Sequence, residues 1–130
     1  MPTVRPRWVV EVDLAGEASE PRVYSGSGRS GAYTVVTAFG TEWRGVGATP
    51  AAALAYARRA RSGILPHVDE VVRGLEHALG LVTQGGEDAI PRPLVSDVER
   101  LLGLARMPPV VTQWTLRAWL VELRRALQAP

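Results

Sequence analysis

The stretch that decides the fold runs Ala32-Tyr33-Thr34-Val35-Val36-Thr37-Ala38-Phe39-Gly40-Thr41-Glu42-Trp43-Arg44-Gly45-Val46-Gly47-Ala48-Thr49-Pro50. Its first eight residues read as a strand, with Tyr33, Val35, Thr37 and Phe39 on one face. Gly40-Thr41 fits a two-residue turn with glycine first, and Glu42 to Ala48 returns as the partner strand. Gly45 and Gly47 stand two apart and so share a face, which lets another element approach the backbone closely. Thr49 then caps a helix with Pro50 at its first position. That helix is expected to run to about Arg61 and to stop at Gly63, and its alanines (51, 52, 53 and 55) suit close packing on a sheet.

Upstream, Trp8 to Leu14 alternates, with Trp8, Val10, Val12 and Leu14 on one face. Residues 15–22 read as loop, and Val23 to Ser25 as a short strand. Downstream the period becomes helical. Pro66 to Leu79 carries a stripe of Val68, Val71, Val72, Leu75 and Leu79. Gly80 and Gly85-Gly86 end it, and Ile90 to Pro93 reads as extended. Ser96 and Glu99 form a capping box for a helix over Asp97 to Arg106, burying Val98, Leu101, Leu102 and Ala105. Pro108-Pro109 stops that helix. Thr112 caps a last one to Gln128, with a stripe of Leu116, Trp119, Leu120, Leu123 and Leu127. The expected class is α+β: an antiparallel sheet of three to four strands covered by a helix, followed by a helical C-terminal half. The division falls between residues 1–84 and 85–130, with a single compact domain as the alternative.

The composition fits a globular chain: 130 residues, 46% hydrophobic and 22% charged. Absence of cysteine excludes disulfides, thiolate metal sites and thiol nucleophiles. All 15 basic residues are arginine, which excludes a Walker-type or Schiff-base lysine. Net charge is only +2, so a nucleic-acid surface would require local clustering of arginine. No run of 18 apolar residues occurs, and Arg5-Pro6-Arg7 leads into a strand-like stretch rather than a secretory apolar segment. A cytoplasmic location without membrane contact is expected.

Gly26-x-Gly28-x-x-Gly31 matches a dinucleotide fingerprint as a string, but a strand rather than a helix follows it. A mobile hairpin loop is the expected reading, with phosphate contact through Arg29 and backbone amides as the alternative. His67 and His77 are ten apart on one helix, about 15 Å along its axis, and cannot share a metal there. A hydrolase or ligand site around Gly26–Gly31 and His67 is the least favoured hypothesis. No catalytic, metal or cofactor residue is singled out, and a non-enzymatic protein is expected.

Arginine carries the stronger signal. On the last helix Gln113, Arg117, Arg124 and Gln128 lie opposite the leucine stripe, with Arg125 nearby. Arginine and glutamine read phosphates and base edges, so Gln113, Arg117, Arg124 and Arg125 are candidate nucleic-acid contacts, with Arg58 and Arg59 as a second cluster. An ordinary polar helix face is the alternative. Trp114 lies off its helix stripe; it completes the core, as large aromatics commonly do, or marks a partner-binding surface. Arg29, Trp43 and Trp114 are the candidate partner-binding residues.

Gly31-Ala32-Tyr33-Thr34-Val35-Val36-Thr37-Ala38-Phe39 with Gly47-Ala48-Thr49-Pro50-Ala51-Ala52-Ala53-Leu54 resembles the core of HicB-type antitoxins, as does Gly86-Glu87-Asp88-Ala89-Ile90-Pro91-Arg92-Pro93. Asp97 to Leu104 with Thr115 to Leu120 is similar to a DNA-binding helix-turn-helix. Double-stranded RNA-binding domains place lysines where this chain has Ala51, Ala52 and Ala53. The resemblance implies a small regulatory protein of the antitoxin kind. It would bind a protein partner through its sheet-plus-helix half and duplex DNA through its last helices, as a homodimer. The alternatives are a phage-type inhibitor or interaction module that binds only protein, and a domain that reads RNA.

Overall fold

The computed structural model describes residues 5–37, 40–83, 90–103 and 113–129. Strands β1 (Arg7–Asp13), β2 (Arg22–Tyr24), β3 (Gly31–Thr37) and β4 (Gly40–Gly47) form an antiparallel sheet in the order β2-β1-β4-β3. Helices α1 (Pro50–Thr83), α2 (Arg92–Leu102) and α3 (Gln113–Gln128) follow. The class is α+β, as the sequence pattern indicates.

One sheet face carries Trp8, Val10 and Val12 of β1 beside Gly47, Gly45 and Trp43 of β4. The first half of α1 lies on it, burying Val10, Val12, Ala53 and Ala57 together. The glycines permit this approach. A Cβ on Gly45 would overlap the carbonyl oxygen of Ala53 and come within 2.8 Å of the Ala57 nitrogen. Thr49 caps the helix as expected, its hydroxyl accepting the Ala52 N–H at 3.0 Å.

The helix does not stop at Gly63. The two helices expected over 50–61 and 66–79 are one helix of 34 residues, about 51 Å long, with Pro66 inside it. An interior proline removes one hydrogen bond and costs about 3 kcal/mol. Continuity of the buried stripe outweighs this. Ala53, Ala57, Arg61, Val68, Val71, Val72, Leu75 and Ala78 keep one helical phase across the break. Ser62 and Pro66 lie on the exposed side, where a carbonyl lacking its N–H donor meets water.

The second half of α1 extends beyond the sheet and meets α2 and α3. The larger core draws Leu14 and Trp43 from the sheet, Val68 to Leu75 from α1, Val98 and Leu101 from α2, and Leu116 to Ala126 from α3. Residues on both sides of position 84 therefore share one core. The α3 stripe of Leu116, Trp119, Leu120 and Leu123 is buried as read from its period.

Two other local readings change. Helix α2 begins at Arg92 rather than after Ser96, with Pro91 extended before it and no side-chain cap, so Ser96 and Glu99 are helix-interior residues. It ends at Gly103, whose φ of 70° gives a left-handed C-terminal cap with its N–H on the Glu99 carbonyl. Gly40 and Thr41 are strand residues, paired with Thr37 and Val36, not a turn. They dock on the end of α2, where the Thr41 hydroxyl donates to the Arg100 carbonyl at 2.8 Å. The readings placed on Phe39, Gly85-Gly86, Ala105, Arg106, Pro108-Pro109 and Thr112 lie outside the described residues.

Candidate functional site

The two edges of the sheet are built differently. β2 has three residues, follows Pro21 and carries Arg22, and such features blunt an edge against further pairing. β3 has seven residues, Gly-Ala-Tyr-Thr-Val-Val-Thr, with no charge and no proline. It pairs with β4 along its whole length. Among the described residues no strand pairs with its outer side. Tyr33 is 42% and Val36 59% exposed, and Ala32 and Thr34 are also exposed, so this edge presents side chains to solvent on both faces. About 23 Å of strand edge is thus presented without the usual protection. The run reads plainly as a strand in the sequence. Its edge position does not, because order in a sheet is set by long-range pairing.

Among the described residues no helix covers the second face of the sheet. Val9 and Val46 are nonetheless buried on it, at 6% and 0% exposure. Arginine and tyrosine side chains and the Gly26–Gly31 loop lie over that region. Arg7 stacks on the Tyr24 ring at 5.1 Å and donates to the Gly26 carbonyl at 3.0 Å. The Tyr33 hydroxyl donates to the Arg29 carbonyl at 2.6 Å. Glu11 holds Arg22 at 2.6 Å and Arg44 at 3.2 Å beside a groove of about 260 Å³. Asp13 and Glu42 follow toward the other end of the strands, giving the face a basic end and an acidic end. Burial, and then repulsion from Glu11 and Asp13, raise the Glu42 pKa above the usual carboxylate value.

The glycine loop connects two strands and is tied to the face through carbonyls, so it lacks the helix N-terminus that a phosphate cradle uses. His67 lies between Glu70 and Asp97, each at 3.8 Å. These partners are separate from those of the loop, and the structure does not bring the two features together. Among the described residues no group of His, Asp and Glu could hold a metal ion.

The expected arginine surface on α3 is partly committed elsewhere. Arg124 meets Glu76 of α1 at 3.5 Å, and Arg125 meets Glu122 at 3.6 Å. Arg117 is exposed and Gln113 half-buried beside Trp114. Arg58 and Arg59 are exposed on α1, away from α3 in sequence and on a different element. Arg29 is exposed in the glycine loop.

The two tryptophans named as partner-binding candidates are placed oppositely. Trp43, a candidate for partner binding, is 2% exposed and belongs to the core. Its strand parity puts it beside Gly45 on the helix-covered face, so it cannot meet a partner. Trp114, the other tryptophan named as a partner-binding candidate, is 85% exposed, so of its two readings the core is excluded and the surface one stays open. The α3 stripe that fills the core is complete without it.

Sequence reasoning missed Arg61. It reads as one of several arginines near a helix end, but the continued helix takes it inside at 1% exposure. Its Nε donates to the Leu14 carbonyl at 2.9 Å and its Nη2 to the Ala126 carbonyl at 2.6 Å. The guanidinium thus joins the end of β1, the middle of α1 and the last turn of α3. Comparisons with family models, curated proteins and solved structures find no match to this chain, so the geometry itself carries the functional reading.

Proposed function

We propose that this chain is a non-enzymatic regulatory protein of the antitoxin kind that takes a protein partner by strand addition along the outer edge of β3. The observation that carries this reading is the contrast between the blunted β2 edge and the uncharged, proline-free β3 edge. In strand addition, main-chain hydrogen bonds give affinity and alternate side chains give specificity. The partner segment is extended, with β-branched or aromatic residues that meet Tyr33 and Val35 on one face and Val36 on the other. Among the described residues no helix is long and apolar enough to cross a membrane. A cytoplasmic site of action is part of the proposal. Duplex-DNA binding through α3 has less support, because Glu76 and Glu122 already engage Arg124 and Arg125.

The test combines capture with localisation. Wild-type chain and a Thr34→Lys/Val36→Lys variant are used as bait, and any copurified complex is mapped by amide hydrogen exchange. Both positions are exposed, so the thermal midpoint of the variant should match that of wild type. The expected result is protection over residues 31–37 in the complex and at least tenfold less partner on the charged edge, about 1.4 kcal/mol of binding. Absence of any partner, equal capture by the variant, or protection confined to α3 refutes the reading.

A further inference from the structure

We infer that α3 pairs with α3 of a second copy of the chain, side by side and parallel, along a ridge of Trp114, Ala118 and Val121. This ridge is independent of the β3 edge. Helix α3 turns Leu116, Trp119, Leu120, Leu123 and Ala126 into the core. On the opposite side, Trp114, Ala118, Val121 and Arg125 are all exposed, at spacings of four, three and four. That alternation is the seam spacing of a two-helix coiled coil. Trp114 at 85% and Val121 at 48% exposure are large apolar groups with no internal work to do there.

The flanking charges choose the occupant and its direction. Arg117 and Glu122 border the seam on opposite sides, five residues apart, with Arg124 on the Arg117 side. In a parallel pair related by a two-fold axis, the residue on one flank meets the residue five positions later on the partner's other flank. Arg117 therefore meets the partner's Glu122, twice by symmetry. Among the described residues Arg117 has no acidic neighbour, so it is available for this pairing. An antiparallel pair would instead bring like flanks together and set Arg117 near the partner's Arg124. The parallel arrangement brings Arg125 toward the partner's Arg125 at the far end; Glu122 stands by its own Arg125 through Oε1 at 3.6 Å, and its second carboxylate oxygen is the one that meets the partner's Arg117.

Fewer than two heptads would not hold two free peptides together, because helix formation in so short a segment is unfavourable. Here packing on α1 has already ordered the helix, so association orders side chains alone. The contact is smaller than a standard stable interface, and a weak, concentration-dependent dimer follows.

Because the chain lacks cysteine, a single introduced thiol reports the geometry. Sedimentation velocity of the full chain from low micromolar to near-millimolar concentration should show a monomer–dimer equilibrium. Trp114→Ala should abolish it without changing the circular dichroism or the thermal midpoint. Arg117→Glu and Glu122→Arg should each weaken the dimer about tenfold, and the double exchange should restore it. Under mild oxidation Ala118→Cys alone should give a covalent dimer. A chain that stays monomeric throughout overturns the inference. So does a Trp114→Ala variant that dimerises like wild type. If crosslinking needs Ala118→Cys mixed with Val121→Cys, the pair is antiparallel and the parallel assignment fails.

Discussion

Replacing Arg61 by methionine tests the keystone of the fold. The substitution preserves most of the aliphatic length, so the cavity left behind is small. It removes the donors to the Leu14 and Ala126 carbonyls, at 2.9 and 2.6 Å, inside a site where Arg61 is 1% exposed. Each buried carbonyl left without a donor costs about 1–3 kcal/mol, so the loss for the two is about 2–6 kcal/mol. The Ala126 carbonyl belongs to the last turn of α3, where unpaired carbonyls concentrate negative charge and a cation is most stabilising. An opposing gain exists. Burial pulls the Arg61 pKa down, with Asp13 acting the other way, so desolvation of the cation costs some stability that methionine recovers. That gain is realised where both partners become apolar, and here the carbonyls remain. Against a total stability of roughly 5–15 kcal/mol, the expected loss is a large fraction. Urea unfolding followed by tryptophan fluorescence measures it, since Trp43 and Trp119 are buried in the core that Arg61 borders. Arg61→Lys, which keeps the charge but not the forked donors, should recover only part of the loss. An Arg61→Met variant within about 0.5 kcal/mol of wild type would refute the reasoning, because that is the ordinary scatter of surface substitutions.

Two more outcomes follow from the same packing. Gly45→Ala places a methyl into the carbonyl of Ala53, so α1 must lift from the sheet; a loss of about 1–3 kcal/mol or more is expected by urea unfolding, against a gain of up to about 1 kcal/mol for Gly63→Ala, an exposed position inside α1 where a Cβ meets open space and alanine is the better helix former. Glu42 has a folded pKa raised above its unfolded value, so the folded state holds its proton more tightly and this group lowers stability as pH rises through that interval. Glu42→Gln should therefore raise the thermal midpoint slightly at neutral pH, with the advantage shrinking below the carboxylate range. A variant equally advantaged at both pH values contradicts the assignment.

Much of the local structure can be read from the residues themselves. Alternation in Trp8 to Leu14 and in Ala32 to Thr37, the bare Gly45-x-Gly47 face, the Thr49-Pro50 helix start and the leucine stripe of α3 are all short-range patterns. Each follows from a side-chain period or a backbone preference acting over a few residues. What the chain's neighbours in sequence could not decide, the tertiary structure did. Gly63 and Pro66 signal a helix end, yet the buried stripe on both sides kept one phase, and packing outweighed a local cost of about 3 kcal/mol. The same continuation drew Arg61 into the core and left Arg58 and Arg59 outside. Strand order placed an uncharged run at an edge, and strand parity put Trp43 inside while a complete core left Trp114 outside. Propensity and periodicity are properties of a segment. Which segment borders solvent is settled by long-range pairing and burial, which no single segment contains.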